Sequence, residues 1–186
     1  MSKKIILKNG TEIYLRLIEK DDLEGIWINF NEVVKEKIYL PVYTPVLNQW
    51  EKNSWFKELI QVNNFCLVAV NPKLSSPKKI VGQLTIEHLQ WEAAKHVGIL
   101  GIIVQKIYRN LGLGYHLIEL GKEIAKERGK KKLILSTFAT NKQGMTLYKK
   151  CGFEIAGTYE KQYFIDGNYV DEILMENWIG NEIKKN

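Results

Sequence analysis

The chain has 186 residues, enough to bury one hydrophobic core, and we expect a single domain over residues 1–186. Its 45% hydrophobic and 26% charged residues are typical of a soluble globular protein and argue against a disordered chain. The net charge is +6, but the lysine clusters lie at predicted helix ends or at the C-terminus, so we do not expect a nucleic-acid partner.

The sequence predicts a cytoplasmic protein without a membrane partner. The N-terminus has no apolar run long enough for a signal peptide, and no segment approaches a membrane span. The two cysteines, Cys66 and Cys151, have no metal-ligand spacing and need not pair, which suits a reducing compartment. The three histidines share no ligand spacing, and we expect no metal.

Hydrophobic periodicity and turn residues divide the chain into alternating strands and helices. The predicted strands cover 12–17, 65–70, 79–90, 99–104, 132–138, 153–165 and 169–177. The predicted helices run from Asp21-Asp22 into the thirties and over 49–62, 112–128 and 141–150. We therefore predict an α/β (α+β) fold, with one mixed, mostly antiparallel sheet and helices on both faces.

A glycine-bearing turn joins the strand 99–104 to the helix 112–128. It has the sequence Arg109-Asn-Leu-Gly112-Leu-Gly114. Glycines let the backbone approach a ligand, and the open N–H groups of a helix start favour a phosphate. The spacing differs from the dinucleotide and P-loop patterns. A tight connection that binds nothing is the alternative interpretation of this segment alone.

A second motif, Asn141-x(6)-Tyr148-x(3)-Gly152-Phe153, follows the strand 132–138. In this order and with these flanking segments, the two motifs resemble those of the GCN5-related N-acetyltransferase (GNAT) superfamily. The tail around Asp166-Gly167 resembles its branch of phosphinothricin-acetyltransferase-like amino-acid N-acyltransferases. The resemblance is strong from about 81 to 175 and weaker over 7–71.

This resemblance implies transfer of an acetyl group from acetyl-CoA to a primary amine. The pyrophosphate of acetyl-CoA would bind the turn, its pantetheine arm would follow the strand, and the Ile102 N–H would face the thioester oxygen. Asn141 would contact the arm, and Tyr148 would protonate the leaving thiolate. The implied cofactor-binding residues are Ile102, Ile103, Val104, Arg109, Asn110, Leu111, Gly112, Leu113, Gly114, Asn141 and Tyr148.

Each of these roles has a structural alternative. Asn141 also suits a helix N-cap, and Tyr148 also suits a half-buried core aromatic. The expected base is less defined, because the strand His96–Gly101 lacks the carboxylate that many family members carry there. We name Glu87 as the catalytic base. A surface carboxylate is the alternative for Glu87, and bulk water is the alternative proton acceptor.

The acceptor is predicted to be a small-molecule amine such as an amino acid, with a polyamine or a protein N-terminus as alternatives. We expect its pocket between the first two helices, the turn 39–45 and the final hairpin. The aromatic residues offered there are Tyr39, Tyr43, Trp50, Trp55 and Tyr163. A non-catalytic acyl-CoA sensor stays open, because a fold does not fix a function. The aromatic hairpin also suggests a homodimer.

Overall fold

A computed structural model of the protein describes residues 2–61 and 64–180, so the predicted helix end at residue 62 lies outside the described residues. The strands are β1 Ser2–Ile6, β2 Glu12–Leu17, β3 Phe65–Val70, β4 Ile80–His88, β5 Val97–Val104, β6 Lys132–Phe138, β7 Glu154–Ile165 and β8 Asn168–Trp178. The helices are α1 Leu23–Glu36, α2 Gln49–Gln61, α3 Leu113–Glu127 and α4 Lys142–Lys150.

The strands form one sheet in the order β1-β2-β3-β4-β5-β6-β8-β7. Among these neighbours only β5 and β6 run parallel, and the other pairs are antiparallel. The predicted mixed, mostly antiparallel sheet is confirmed. The first strand, β1, was not predicted. Its only buried side chain is Ile5, so the segment lacks the alternation that marks a half-buried strand.

Helices cover both faces of the sheet, as predicted. Along β3, Phe65 and Leu67 point into the larger core with α3, and Cys66 and Val68 point into a smaller core with α1 and α2. Every β3 residue from 65 to 69 is buried, because successive side chains point to opposite faces and both faces are covered.

The parallel pair β5–β6 is short. Residues Val97–Ile99 of β5 pair with Lys132–Ile134 of β6, and the printed register extends no further within the described chain. Beyond this point β5 stays paired with β4 up to Val104, and β6 stays paired with β8 up to Phe138. The C-terminal halves of β5 and β6 therefore separate, and the starts of α3 and α4 lie at the opening.

Helix α1 lies very close to the loop before β4. A Cβ atom on Gly25 of α1 would lie 2.6 Å from the Pro77 carbonyl oxygen and 2.7 Å from Ile80 Cγ1. We therefore expect Gly25→Ala to lower the free energy of unfolding by about 1–3 kcal/mol, because the added methyl overpacks the contact. Alanine is the better helix former, so propensity alone predicts the opposite sign.

Urea denaturation measures this change. The matched control is Gly157→Ala, because a Cβ there meets nothing closer than Leu174 Cδ1 at 3.9 Å. An alanine at Gly25 that is tolerated as well as one at Gly157 would contradict the assigned contact.

Candidate active site

The opening between β5 and β6 leads into a cleft of about 620 Å³. Its wall combines the end of β5, the turn before α3, the first turns of α3 and α4, and residues from two distant loops. The lining residues are Ile6, Lys8, Tyr39, Ile102, Val104, Arg109, Asn110, Leu111, Gly112, Gly114, Tyr115, His116, Asn141, Gln143, Gly144, Thr146, Leu147 and Lys150. The structure thus brings together most of the residues that the two sequence motifs predicted.

The turn before α3 directs backbone N–H groups toward the cleft. Asn110 (φ 61°) and Gly112 (φ 94°) both adopt the left-handed conformation, which asparagine and glycine tolerate best. The first hydrogen bond of α3 runs from the His116 N–H to the Gly112 carbonyl at 3.2 Å. The N–H groups of residues 113–115 precede this bond, so they are free to bind an anion. The Leu113 side chain itself is buried in the core.

The exposed edge of β5 presents the backbone of its even-numbered residues. The Gln105 N–H bonds the Val81 carbonyl on the β4 side, and the His96 carbonyl accepts bonds from Lys131 and Lys132 on the β6 side. Alternation then places the backbone groups of residues 100, 102 and 104 on the cleft side. Ile102 and Val104 fit their predicted role.

Ile103, which was predicted with them, has the opposite orientation. Its backbone pairs toward Gln83 of β4, and its side chain lines a second pocket on the other face of the sheet.

The Arg109 side chain is committed to the protein itself. Its guanidinium forms a two-bond ion pair with Glu36 at the end of α1, at 2.7 and 2.5 Å, and its Nε donates to the Val104 carbonyl at 2.9 Å. It also lies over the Tyr39 ring, 4.7 Å from the centroid. These hydrogen bonds hold the pKa of Glu36 below its usual value and raise that of Arg109. With its guanidinium bound to Glu36 and its N–H bonded to the Lys106 carbonyl at 3.3 Å, Arg109 holds the turn in place.

Asn141 caps a helix and also lines the cleft. It is the N-cap of α4, where its Oδ1 accepts from the Gly144 N–H at 2.9 Å, and it lines the cleft. Its Nδ2 donates to Thr137 Oγ1 at 2.9 Å, which ties α4 to the end of β6. The cap requires glycine at 144, because a Cβ there would lie 2.4 Å from Asn141 Nδ2.

Tyr148 lies on α4 but does not belong to the residues that line the cleft. It is buried in the larger core and packs edge-on against Phe153, with ring centroids 6.2 Å apart. Burial raises the pKa of Tyr148 to about 12, so its hydroxyl is protonated at neutral pH.

Three cationic or titratable side chains border the cleft and were not assigned to it from the sequence. Lys150 lies over the Tyr115 ring at 4.8 Å from the centroid. Lys8 is held against the turn by its N–H, which donates to the Leu111 carbonyl at 3.1 Å. The pKa of His116 is lowered by burial and by Lys3. Lys8 comes from the loop after β1, and no local pattern connects that loop to the site.

The second pocket, of about 200 Å³, lies on the α1–α2 face of the sheet. Its walls come from α1, α2, β4, β5 and the turn after α1. The lining residues are Ile26, Trp27, Phe30, Leu40, Trp55, Gln83, Thr85, Glu87, Gly101, Ile102 and Ile103. Because Ile102 lines both spaces, this pocket and the cleft meet at β5.

Glu87 is the carboxylate of this second pocket. Burial raises its pKa, and the charge of Glu58 adds to the rise, against a smaller opposing effect of a hydrogen bond with Trp55. His88 faces away and bonds the Asn64 side chain, as strand alternation predicted. Glu87 is thus a partly buried carboxylate with a raised pKa, a combination that is typical of general bases.

The aromatic residues expected around the acceptor are dispersed. Trp55 lines the second pocket and Tyr39 lines the cleft, whereas Tyr43 and Trp50 are exposed. Tyr163 of the final hairpin packs on Phe138, with ring centroids 5.0 Å apart, and bonds Glu172. No hairpin residue appears among the described residues lining either space. The final hairpin β7–β8 lies beyond β6 in the sheet, so Tyr163 is separated from β4 and β5.

Two features are absent from the residues that the structure describes. Across 2–61 and 64–180, no three His, Cys, Asp or Glu side chains are grouped so that they could hold a metal ion. Over the same residues, none of the helices has the length and apolar character needed to cross a membrane.

Comparison with known proteins identifies the family of the chain. Residues 34–153, more than half of the chain, match the model of the Acetyltransferase (GNAT) family. The chain belongs to this family, and the predicted resemblance is confirmed.

One relative is an L-amino acid N-acetyltransferase of Escherichia coli, 34% identical over 97 residues. The match covers 52% of this chain and 60% of that relative, so the chain spans under two thirds of its length. A GNAT-family acetyltransferase from Streptococcus pneumoniae has a TM-score of 0.79 at 27% identity, covering 90% of this chain and 99% of its own. A Salmonella typhimurium structure determined with acetyl-CoA has a TM-score of 0.82 at 15% identity, covering 94% and 98%, and shows the shared fold.

The Arg109–Glu36 pair generates a stability prediction. Glu36→Gln leaves the largely buried guanidinium without its counter-charge, and we expect the free energy of unfolding to fall by about 1–2 kcal/mol at neutral pH. Because folding depresses the pKa of Glu36, this contribution is present above the ordinary glutamate pKa and is lost as the pH falls through the depressed value.

Urea denaturation at several pH values measures the difference between the wild type and Glu36→Gln. It should be constant near neutrality and shrink in acid. Glu32→Gln is the matched control, because Glu32 pairs with Lys35 on an exposed stretch of the same helix. Equal losses for Glu32→Gln and Glu36→Gln would contradict a special role for the Arg109 pair.

Proposed function

We propose that the chain is an N-acetyltransferase that moves the acetyl group of acetyl-CoA to the primary amine of a small molecule by direct attack. One observation carries this proposal. At Ile102, a cleft with an open strand edge and a helix N-terminus meets an apolar pocket that contains a carboxylate. A bound thioester and a bound amine would then be neighbours across a single residue.

The cleft suits acetyl-CoA in three ways. The open N–H groups of residues 113–115 suit its pyrophosphate. The backbone groups of Ile102 and Val104 suit the amides of its pantetheine arm, which would extend the sheet edge as an added strand. Lys8 and Lys150 add positive charge to the wall. The acetyl-CoA named with the Salmonella structure supports the same choice of co-substrate.

The chemical step needs three protein groups. The amine nitrogen bonds to the acetyl carbon, the carbon–sulfur bond breaks, and the Ile102 N–H stabilises the oxyanion that forms between these events. The proton of the attacking amine passes to Glu87. We keep Tyr148 as the proposed acid for the departing thiolate, which requires its hydroxyl to reach the cleft from the buried position that it has in this structure; solvent then returns the proton.

The presence of Glu87 favours acyl transfer over passive acyl-CoA sensing. A sensor needs no base, and a partly buried carboxylate with a raised pKa beside an apolar pocket is suited to accept a proton. The name of the Escherichia coli relative supports an amino acid as one acceptor to test. The proposal also includes the cytoplasm as compartment and leaves the predicted homodimer open, with Phe164 and Tyr169 exposed on the edge hairpin.

A screen for free CoA thiol tests the function. The purified chain is incubated with acetyl-CoA and with amino acids, amino-acid amides, simple alkylamines, polyamines, aminoglycosides and peptides with free N-termini. We expect amine-dependent thiol release and a product heavier by one acetyl group. Binding of acetyl-CoA without turnover of any amine would favour a sensor and overturn the enzymatic proposal.

Glu87→Gln tests the base. Only ionised Glu87 accepts a proton, so kcat/KM should decline as the pH falls through the pKa of Glu87. Because this pKa is raised, the decline should begin above the ordinary glutamate range. In Glu87→Gln this decline should disappear and the rate should fall by about 10²-fold or more. The limb that belongs to the ionisation of the amine itself should persist in both proteins.

Glu58→Gln is the matched control. Glu58 raises the pKa of Glu87 through its charge, so its removal should move the acid limb to lower pH with little loss of maximal rate. An acid limb that stays unchanged in Glu87→Gln would rule out Glu87 as the base.

Tyr148→Phe tests the acid. The substitution keeps the ring that packs against Phe153 and removes only the hydroxyl. We expect nearly unchanged affinity for acetyl-CoA and a fall in the single-turnover rate of about 10²-fold. Calorimetry measures the affinity, and rapid thiol detection measures the rate.

Tyr108→Phe is the control, because the Tyr108 hydroxyl accepts a structural hydrogen bond from the Asn71 amide at 2.9 Å. It should lower stability without a comparable loss of rate. A Tyr148→Phe protein with wild-type single-turnover rate would refute the assignment.

A further inference from the structure

Two residues in the wall of the second pocket each carry an unpaired polar atom. Across the described residues, three buried side-chain nitrogen or oxygen atoms have no hydrogen-bond partner, and they are Trp27 Nε1, Gln83 Oε1 and Asn29 Nδ2. Trp27 and Gln83 are both at least nine-tenths buried and both line the pocket. Buried polar groups are nearly always paired, so one donor and one acceptor left over in a single pocket point to a ligand that supplies the partners.

The charge of the pocket restricts that ligand further. Among the described residues that line it, none is Lys, Arg or His, and Glu87 is the charged group. Lys52 of α2 is already held by Glu24, and Arg109, which lies over Tyr39 of the turn after α1, is held by Glu36. Glu58 adds negative charge to the surroundings of Glu87. A carboxylate in this pocket would face like charge in an apolar space without a counter-ion.

We propose that the second pocket selects a small apolar primary amine that carries an uncharged amide group in place of a carboxylate. The amide carbonyl would accept from Trp27 Nε1–H, and the amide N–H would donate to Gln83 Oε1. This selection rests on the proposed function, since the same amine must also reach the thioester at Ile102.

A carboxylate cannot satisfy the same two atoms. It accepts hydrogen bonds but donates none, so Gln83 Oε1 would stay unpaired. Turning the Gln83 amide over would present a donor but no positive charge. The walls of Trp27, Phe30 and Trp55 and the volume of about 200 Å³ suit an aliphatic side chain of the size of leucine.

Three acceptors with the same isobutyl group separate the effect of the amide from the effect of the carboxylate. They are L-leucinamide, with an amide; L-leucine, with a carboxylate; and 3-methylbutylamine, with neither. In each, the amine nitrogen gains the acetyl group, the amine loses one proton and CoA leaves as the thiol. Because the substituent changes the pKa of the amine, kcat/KM is compared for the unprotonated amine. We expect L-leucinamide to exceed L-leucine at least about tenfold, with 3-methylbutylamine between them.

Two variants connect this order to the unpaired atoms. Gln83→Leu and Trp27→Phe should each lower kcat/KM for L-leucinamide about tenfold more than for 3-methylbutylamine, which has no amide to bond either atom. Gln90→Leu and Trp91→Phe make the same chemical changes at exposed residues outside both spaces, and they should leave the acceptor order intact. Calorimetry with acetyl-CoA reports whether each variant retains a folded cleft.

The outcomes distinguish the selection from the proposed function. L-Leucine used as well as L-leucinamide, or turnover confined to other amines of the wider screen, overturns the selection and leaves the acetyltransferase assignment in place. Equal losses for L-leucinamide and 3-methylbutylamine in both variants also overturn it, because the two atoms would then serve packing. A screen in which no amine turns over contradicts the function, and the selection with it.

Discussion

The arrangement of the whole site depends on the loss of pairing between β5 and β6 after Ile99 and Ile134. A strand edge with unpaired N–H and C=O groups would be unfavourable in a closed core, because buried backbone groups need partners. Here the edge borders a cleft that also receives the N-terminus of α3. The groups that the sheet leaves free are therefore available to a ligand rather than to a neighbouring strand.

Both ends of this opening are held in place by specific polar contacts. On the β5 side, the Arg109 guanidinium connects the turn before α3 to the end of α1 and to the Val104 carbonyl. On the β6 side, Asn141 caps α4 and bonds Thr137. Because α1 also forms a wall of the second pocket, the Arg109–Glu36 pair connects a wall of the cleft to a wall of the second pocket. Ile102 is their common boundary, with its backbone at the cleft edge.

Much of this architecture could be predicted from the sequence, because its signals are local. The strand–turn–helix around Gly112 and the cap at Asn141 depend on residues close in the chain, and both were found where the motifs placed them. The partner of Arg109 could not be predicted, since Glu36 lies 73 residues away and only folding brings them together. For the same reason, the unpaired Trp27 and Gln83 atoms have no signature in the sequence. Strand alternation did predict that Glu87 and His88 lie on opposite faces of β4, as they do in the structure.

Hydrogen–deuterium exchange of the backbone amides, with and without acetyl-CoA, tests the central claim most directly. If the open edge of β5 and the start of α3 bind acetyl-CoA, the amides of residues 102, 104 and 113–115 should become protected. The amide of Ile103, which pairs toward β4, should change little on the same strand. Protection of Ile103 equal to that of its neighbours, or protection confined to other parts of the chain, would contradict this account.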